Sequence, residues 1–315
     1  MADVNTVVGT IDSSELGFTL MHEHVVTSSA GIPHTFPELV DRERTIGLAI
    51  ERLKEAIEEG VQSYVDVTTM DLGRDVTLLR EVAQKSQVHI IAATGIWLDI
   101  PRFIARVTPD QLAKVFTREI EGGIEGTGVK AGVIKVATSD EGVTPANEIV
   151  LRAAARTSKR TGVPISTHTA ALAQVGNDQI SIFEDEGVDL RRVYIGHSND
   201  TDDLDYLAGL ARKGCLLGMD HFPGGRAGGL DWEERVEVIR QLVEMGLADK
   251  TCLSHDDALS FNGTPEEAAE RRAYNPDSIS FISRKVLPRL RALGIREEAI
   301  STMTVGAPRR YFEAK

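Results

Sequence analysis

Cysteine is nearly absent from this sequence, with Cys215 and Cys252 the only two in 315 residues. Both sit in apolar runs that read as strands, so buried thiols are expected and a disulfide framework is not. Basic charge is also scarce: Lys and Arg number 35 against 48 Asp and Glu, a formal net charge of −13. That balance excludes a general basic surface for nucleic acid or anionic membrane, while leaving room for a small cationic pocket. No apolar run is long enough to span a bilayer. The opening Met1-Ala-Asp-Val-Asn-Thr has no basic stretch followed by an apolar one, so a cytoplasmic setting is expected. No repeat, low-complexity tract or linker marks a second domain. A single domain over 1–315 is expected, with 1–17 as a small turn-rich cap.

What is present is alternation. Short runs rich in Val, Ile, Leu and Thr occupy Phe18–His24, Ser63–Thr69, His89–Trp97, Ala131–Thr138, Val163–Thr169, Arg192–Ser198, Cys215–His221 and Thr251–Asp257. Each is bounded by turn-forming residues, as buried strands are. Amphipathic helical patterns lie between them. Thr45–Gly60 places Ile46, Leu48, Ala49, Leu53, Ala56 and Ile57 mostly on one face and stops at glycine. Thr108 and Thr144 each precede a proline, the pattern of an N-cap with proline at the first helical position. Further helices are expected over Val76–Ser86, Asn177–Gly187, Asp202–Gly214, Asp231–Gly246 and Pro276–Gly294. Eight strand-helix alternations predict an α/β fold, the (β/α)8 TIM barrel. A doubly wound sheet would place a Gly-rich turn after the first strand, where Met21-His-Glu-His stands instead.

The polar residues cluster at strand ends. Strand one ends in His22-Glu23-His24, strand four carries Lys135, strands five and six end in His168 and His197, strand seven in Asp220-His221, and strand eight in His255-Asp256-Asp257. In a barrel these ends converge on one face. His22 and His24 are two apart, so both point to one side of a strand and Glu23 points away. Imidazole and carboxylate ligands suit divalent zinc, cobalt, manganese or iron. A lone strand histidine is ordinarily a hydrogen-bonded core residue; four of them with an aspartate at one rim predict a metal site. Lys135 admits two readings. An ammonium in an apolar strand is costly unless paired or neutral. It either pairs with a carboxylate such as Asp256, or it is neutral and adds carbon dioxide to become an anionic carbamate.

These stretches resemble the binuclear amidohydrolase superfamily and, more narrowly, the phosphotriesterases and phosphotriesterase-like lactonases. Gly17-Phe-Thr-Leu-Met-His-Glu-His, Leu72-Gly-Arg-Asp-Val, Ala93-Thr-Gly-Ile-Trp, Ala131-Gly-Val-Ile-Lys-Val-Ala-Thr, Val163-Pro-Ile-Ser-Thr-His-Thr, Ile195-Gly-His-Ser-Asn-Asp-Thr-Asp-Asp and Leu253-Ser-His-Asp carry the likeness from the first strand to the last. The resemblance implies two divalent metals with a hydroxide between them. His22, His24, Lys135 and Asp256 would hold the more buried one. Lys135, as carbamate, would hold the other with His168 and His197. It also implies that Asp256 takes a proton during attack and that His221 and Asp200 relay it outward, a task suited to a His–carboxylate pair. Asp200 has an equal alternative as N-cap of the helix starting near Asp202. A homodimer is a further implication.

Substrate signals conflict. Trp97 and His221 match the phosphotriesterases, whereas the lactonases more often carry Tyr and Arg there. The loop after strand seven, Phe222-Pro-Gly-Gly-Arg-Ala-Gly-Gly-Leu, is short like that of the lactonases, and its glycines suggest a mobile lid. Pro265-Glu-Glu-Ala-Ala-Glu-Arg-Arg is expected to form a short helix over the site, with Leu259 and Phe261 as an apolar entrance for an acyl chain. The expected substrate is a small lactone, with organophosphate triesters hydrolysed as well. A dedicated phosphotriesterase is the second expectation, and a non-catalytic metal-binding barrel a distant third.

Overall fold

A computed structural model of the chain describes residues 1–225, 229–261 and 265–314, with Phe261 and Pro265 described by backbone alone. A hairpin of β1 (Asp3–Thr6) and β2 (Gly9–Asp12) precedes a curled parallel sheet. The sheet contains β3 (Phe18–Thr27), β4 (Val61–Asp66), β5 (His89–Gly95), β6 (Val133–Thr138), β7 (Ile165–Thr169), β8 (Val193–Ile195), β9 (Leu216–Met219), β10 (Thr251–Leu253) and β11 (Ala258–Phe261). Strands β3 to β10 pair in chain order, and β11 pairs with β3 on the far side. The expected eighth strand, Thr251–Asp257, is strand only at its start, as β10, and β11 begins just past its end. Between them the Asp256 N–H donates to the His22 carbonyl at 3.0 Å, and the His24 N–H to the Asp257 carbonyl at 3.0 Å. These bonds close the sheet into the α/β TIM-barrel-like fold expected from the alternation.

Helices Arg42–Glu58, Val76–Ser86, Pro109–Glu121, Pro145–Thr161, Gly176–Asp185, Leu204–Lys213 and Trp232–Glu244 cross from each strand to the next. Thr108 and Thr144 are N-caps with full capping boxes, completed by Gln111 and Asn147. Each box satisfies two backbone donors that the first turn leaves open. Strand side chains alternate. Leu20, Tyr64, Ile90 and Ile134 pack outward against the helices. Met21, Val65, Ile91 and Val133 fill the barrel interior with Tyr311 and Phe312 from the C-terminal helix. Burial of each such side chain is worth about 1.5–3 kcal/mol.

Two expectations need correction. Residues 1–17 hold the β1–β2 hairpin rather than turns alone. The helix expected over Pro276–Gly294 is broken: a turn at Ser278–Ser280 leads to a wide π turn at Ile282–Val286 and then to the helix Leu287–Ala292. Pro288 lacks an N–H to give to the preceding turn, and the ladder widens there. Among the described residues no helix is long and apolar enough to cross a membrane.

Candidate metal centre

The C-terminal ends of the strands meet at one rim, as parallel barrel geometry requires. There Lys135 Nζ lies 2.7 Å from His22 Nε2. Asp256 Oδ1 lies 3.1 Å from His24 Nε2 and 3.6 Å from His22 Nε2. His168 Nδ1 and His197 Nε2 are 2.7 Å apart, and His197 Nε2 is 4.0 Å from Asp256 Oδ2. The six residues expected as ligands are therefore brought together. Two glycines make room for them. A Cβ at Gly196 would stand 2.2 Å from the Thr167 carbonyl and 3.2 Å from the His22 ring; one at Gly218 would stand 2.5 Å from Asp220 Oδ2.

Two of the rim residues have left-handed backbones, His197 at φ 59° and Asp256 at φ 52°. Such conformations are rare outside glycine and persist only when surroundings over-determine them. At Asp256 the turn swings the carboxylate inward just where the eighth strand breaks.

Behind the inward-facing atoms lies a second layer. Asp220 Oδ2 is 2.9 Å from His22 Nδ1, and Asp220 Oδ1 is 3.0 Å from His197 Nδ1. The same carboxylate accepts from the His197 N–H at 2.6 Å and from the Tyr194 hydroxyl at 2.9 Å. His24 Nδ1 lies 2.8 Å from Thr68 Oγ1. With Asp220 and Thr68 beside the outer nitrogens, the Nε2 atoms of His22, His24 and His197 face the centre, the arrangement by which metal-binding imidazoles are oriented.

The electrostatics agree. Burial and the nearby Lys135 pull His22 down to about 3. Burial likewise lowers His168 and His197, each with a neighbouring imidazole adding to the effect. Burial brings Lys135 down to about 8 against the opposing pull of Asp256, Asp220 and Asp71. Asp256 is held well below its usual range because the imidazole of His22 and hydrogen bonds from His221 and His24 outweigh burial. Neutral imidazoles, an ionised carboxylate and an amine able to lose its proton form a donor set for divalent cations. Zinc–nitrogen bonds near 2.0–2.1 Å put tetrahedral ligand atoms about 3.3 Å apart, close to the His24–Asp256 and His22–Asp256 separations. The residues present fit a metal.

His221 stacks on His197 at 3.8 Å. Its Nε2 is 3.1 Å from Asp256 Oδ2 and its Nδ1 is 2.8 Å from Asp200 Oδ2. Burial pulls its pKa down, but hydrogen bonds to Asp200 and Asp256 carry it up to about 10. The cap of helix Leu204–Lys213 is Asp203, not Asp200. Asp200 instead accepts from Arg235 at 2.7 Å.

A cavity of about 720 Å³ opens at Asp200, His221 and Asp256, lined also by Ala170, Ala171, Leu172, Ala173, Phe222, Pro223, Arg271 and Tyr274. Helix Pro265–Tyr274 forms as expected, and the Tyr274 hydroxyl donates to the Gly224 carbonyl. Trp97 meets the His168 ring edge-on at 5.7 Å, and its backbone N–H donates to Asp71 at 3.1 Å. Leu259 lies elsewhere. It lines a separate cleft with Arg44, Leu48 and Arg272, because β11 has by then joined the outer edge of β3. The Phe261 side chain lies outside the described residues, as do Arg226, Ala227 and Gly228 of the glycine-rich loop. Cys215 and Cys252 are buried and free.

Sequence reading placed Asp220 at a strand end without a role, and missed Thr68, Tyr194 and Arg235. A signal existed for Arg235: it shares a buried helical stripe with Val238, Ile239 and Leu242, where an arginine requires partners.

A parallel barrel with a histidine–aspartate cluster at its C-terminal rim defines a barrel hydrolase with a candidate metal centre. The chain matches the phosphotriesterase family over residues 2–312 and belongs to it. It is 41% identical to the phosphotriesterase homology protein of Mycobacterium tuberculosis, covering 99% of this chain and 98% of the relative. It is 35% identical to an aryldialkylphosphatase of Saccharolobus solfataricus, over 96% of each chain. The solved structure of the phosphotriesterase from Mycobacterium tuberculosis superposes with a TM-score of 0.92, covering 99% of this chain and 98% of that one. The protein is an enzyme of the hydrolase class.

Proposed function

We propose that the protein is a two-metal hydrolase that opens lactone esters and also cleaves organophosphate triesters. The observation that carries this reading is the convergence of His22, His24, Lys135, His168, His197 and Asp256 at one rim, where Asp256 and His221 line a cavity with a largely apolar wall. His22, His24 and Asp256 would hold one divalent cation, His168 and His197 the other, and a Lys135 carbamate would serve both. When bound, zinc, cobalt, manganese or iron ions in these places supply Lewis acidity at the scissile centre and lower the pKa of a water.

The chain's own residues do the rest. Asp256 accepts the proton that the attacking water loses. His221 Nε2, in the neutral imidazole that nearby bound cations would favour, takes it from Asp256 Oδ2, and Asp200 Oδ2 receives the Nδ1 proton at the cavity edge, along contacts of 3.1 and 2.8 Å. Trp97 walls the His168 side. Ala170 to Ala173 with Phe222 and Pro223 offer apolar surface for an acyl chain. The homodimer implied by the resemblance belongs to the same reading and is measured by light scattering.

A dedicated phosphotriesterase is the second reading. Trp97 and His221 favour it, as does the likeness to an aryldialkylphosphatase. One preparation should be assayed for metal content and for kcat/KM on an acyl-homoserine lactone, a simple γ- or δ-lactone and paraoxon. About two divalent ions per chain are expected, with the lactones turned over faster. A paraoxon preference of several orders of magnitude reverses the ranking, and full activity in metal-free protein ends the two-metal reading.

A further inference from the structure

Glu23 stands between the two histidines of strand β3 and points the opposite way, into a fully buried site. Its Oε1 accepts from the Ser254 hydroxyl at 2.7 Å and from the His255 N–H at 2.8 Å, and lies 2.7 Å from His255 Nδ1. Its Oε2 accepts from the Asp257 N–H at 3.1 Å. The far nitrogen of His255 accepts from the Ile282 N–H at 3.1 Å, which makes Nδ1 the protonated one. The Ser254 hydroxyl in turn accepts from the His22 N–H at 2.9 Å. One carboxylate therefore grips residues 254, 255 and 257, on both sides of Asp256, and ties them to the strand bearing His22 and His24.

We infer that Glu23 is the positioning residue for Asp256, fixing through the 254–257 backbone the turn that aims the Asp256 carboxylate at the metal centre. Asp256 needs such a clamp because its φ of 52° is left-handed, a conformation an aspartate leaves readily when nothing holds it. β10 pairs with β9 and β11 with β3, and between them single backbone hydrogen bonds from Asp256 to His22 and from His24 to Asp257 are the ladder's hold on Asp256, to which Glu23 adds grips on its neighbours. A glutamate suits this break because its two oxygens together take donors from Ser254, His255 and Asp257. The same strand thus supplies two inward imidazoles and, from its other face, the anchor for a ligand more than two hundred positions away.

The inference rests on the reading of Asp256 as a metal ligand. Glu23→Gln keeps the size but sets an amide N–H against the Asp257 N–H, and Ser254→Ala removes one grip while leaving the carboxylate. Melting curves report folding, zinc competition against a chelator reports metal affinity, and kcat and KM are measured on the best ester of the substrate panel. Glu23→Gln should fold, bind zinc about 10–100-fold more weakly and lose about 10–100-fold in kcat, with KM within about 2-fold. Ser254→Ala should move the same way by less, and it decides the matter if Glu23→Gln does not fold. Wild-type zinc affinity and wild-type kcat per bound metal in the folded variants overturn the clamp alone. A wild-type protein that binds no cation ends the metal-site reading itself, and the clamp with it.

Discussion

His22 and His197 present their Nδ1 atoms to the two oxygens of a single carboxylate, Asp220, at 2.9 and 3.0 Å. The two rings come from strands far apart in sequence, and one buried anion sets the orientation of both. Burial pushes the Asp220 carboxyl up, yet His197 and His22 together hold it well below the usual carboxylate range.

Asp220→Asn should therefore disturb both proposed metal positions at once. An amide offers one acceptor oxygen where the carboxylate offered two, and its NH2 group opposes an imidazole N–H. Metal affinity by chelator competition should fall about 10–100-fold. Unchanged affinity at both positions would show that Asp220 orients neither ring.

His221 and Asp200 should behave as one unit. His221→Asn should lower kcat by about 100-fold, and Asp200→Asn by less. The double variant should be no worse than His221→Asn alone, since the carboxylate acts through the imidazole. Fully additive losses in a double-mutant cycle would dissolve the relay.

Lys135→Ala should lose metal and activity together, because it removes the anion that the proposed carbamate would give to both positions. Short carboxylic acids added to the apo variant should restore part of both, saturably, by filling the space of the proposed carbamate. A variant that retains full metal and rate removes the lysine from the centre.

A stability prediction concerns the opposite side of the molecule. Glu186 accepts from Arg156 at 2.8 and 3.0 Å and from Arg152 at 2.9 Å, and these arginines, led by Arg156, hold its pKa down from 4.5 to about 2. A depressed carboxylate contributes stability above its unfolded pKa, and that contribution is lost as pH falls through the folded value. Near the surface it is worth about 1 kcal/mol after screening. Glu186→Gln should thus melt below wild type at pH 6, and the gap should close as pH falls from 4.5 toward 2. A gap of constant size across that range would mean that charge is not what the pairing supplies.

Much of this protein is set by its sequence alone. Strand and helix periodicity named the barrel, since burial on both strand faces and one helix face leaves a pattern in any local window. Thr108 with Gln111 and Thr144 with Asn147 fixed two helix starts within four residues. The i, i+2 spacing of His22 and His24 placed both rings on one side of a strand before any tertiary contact was known.

Tertiary structure decided the rest. It chose Asp203 over Asp200 as the helix cap, freeing Asp200 to meet His221. It broke the eighth strand at Asp256, turned Leu259 toward another cleft, and brought Glu23 to His255 and Asp220 between His22 and His197. These pairings depend on which side chains barrel closure aligns across distant strands. No local window of sequence records that alignment, because it follows from strand stagger and curvature rather than from the identity of neighbouring residues.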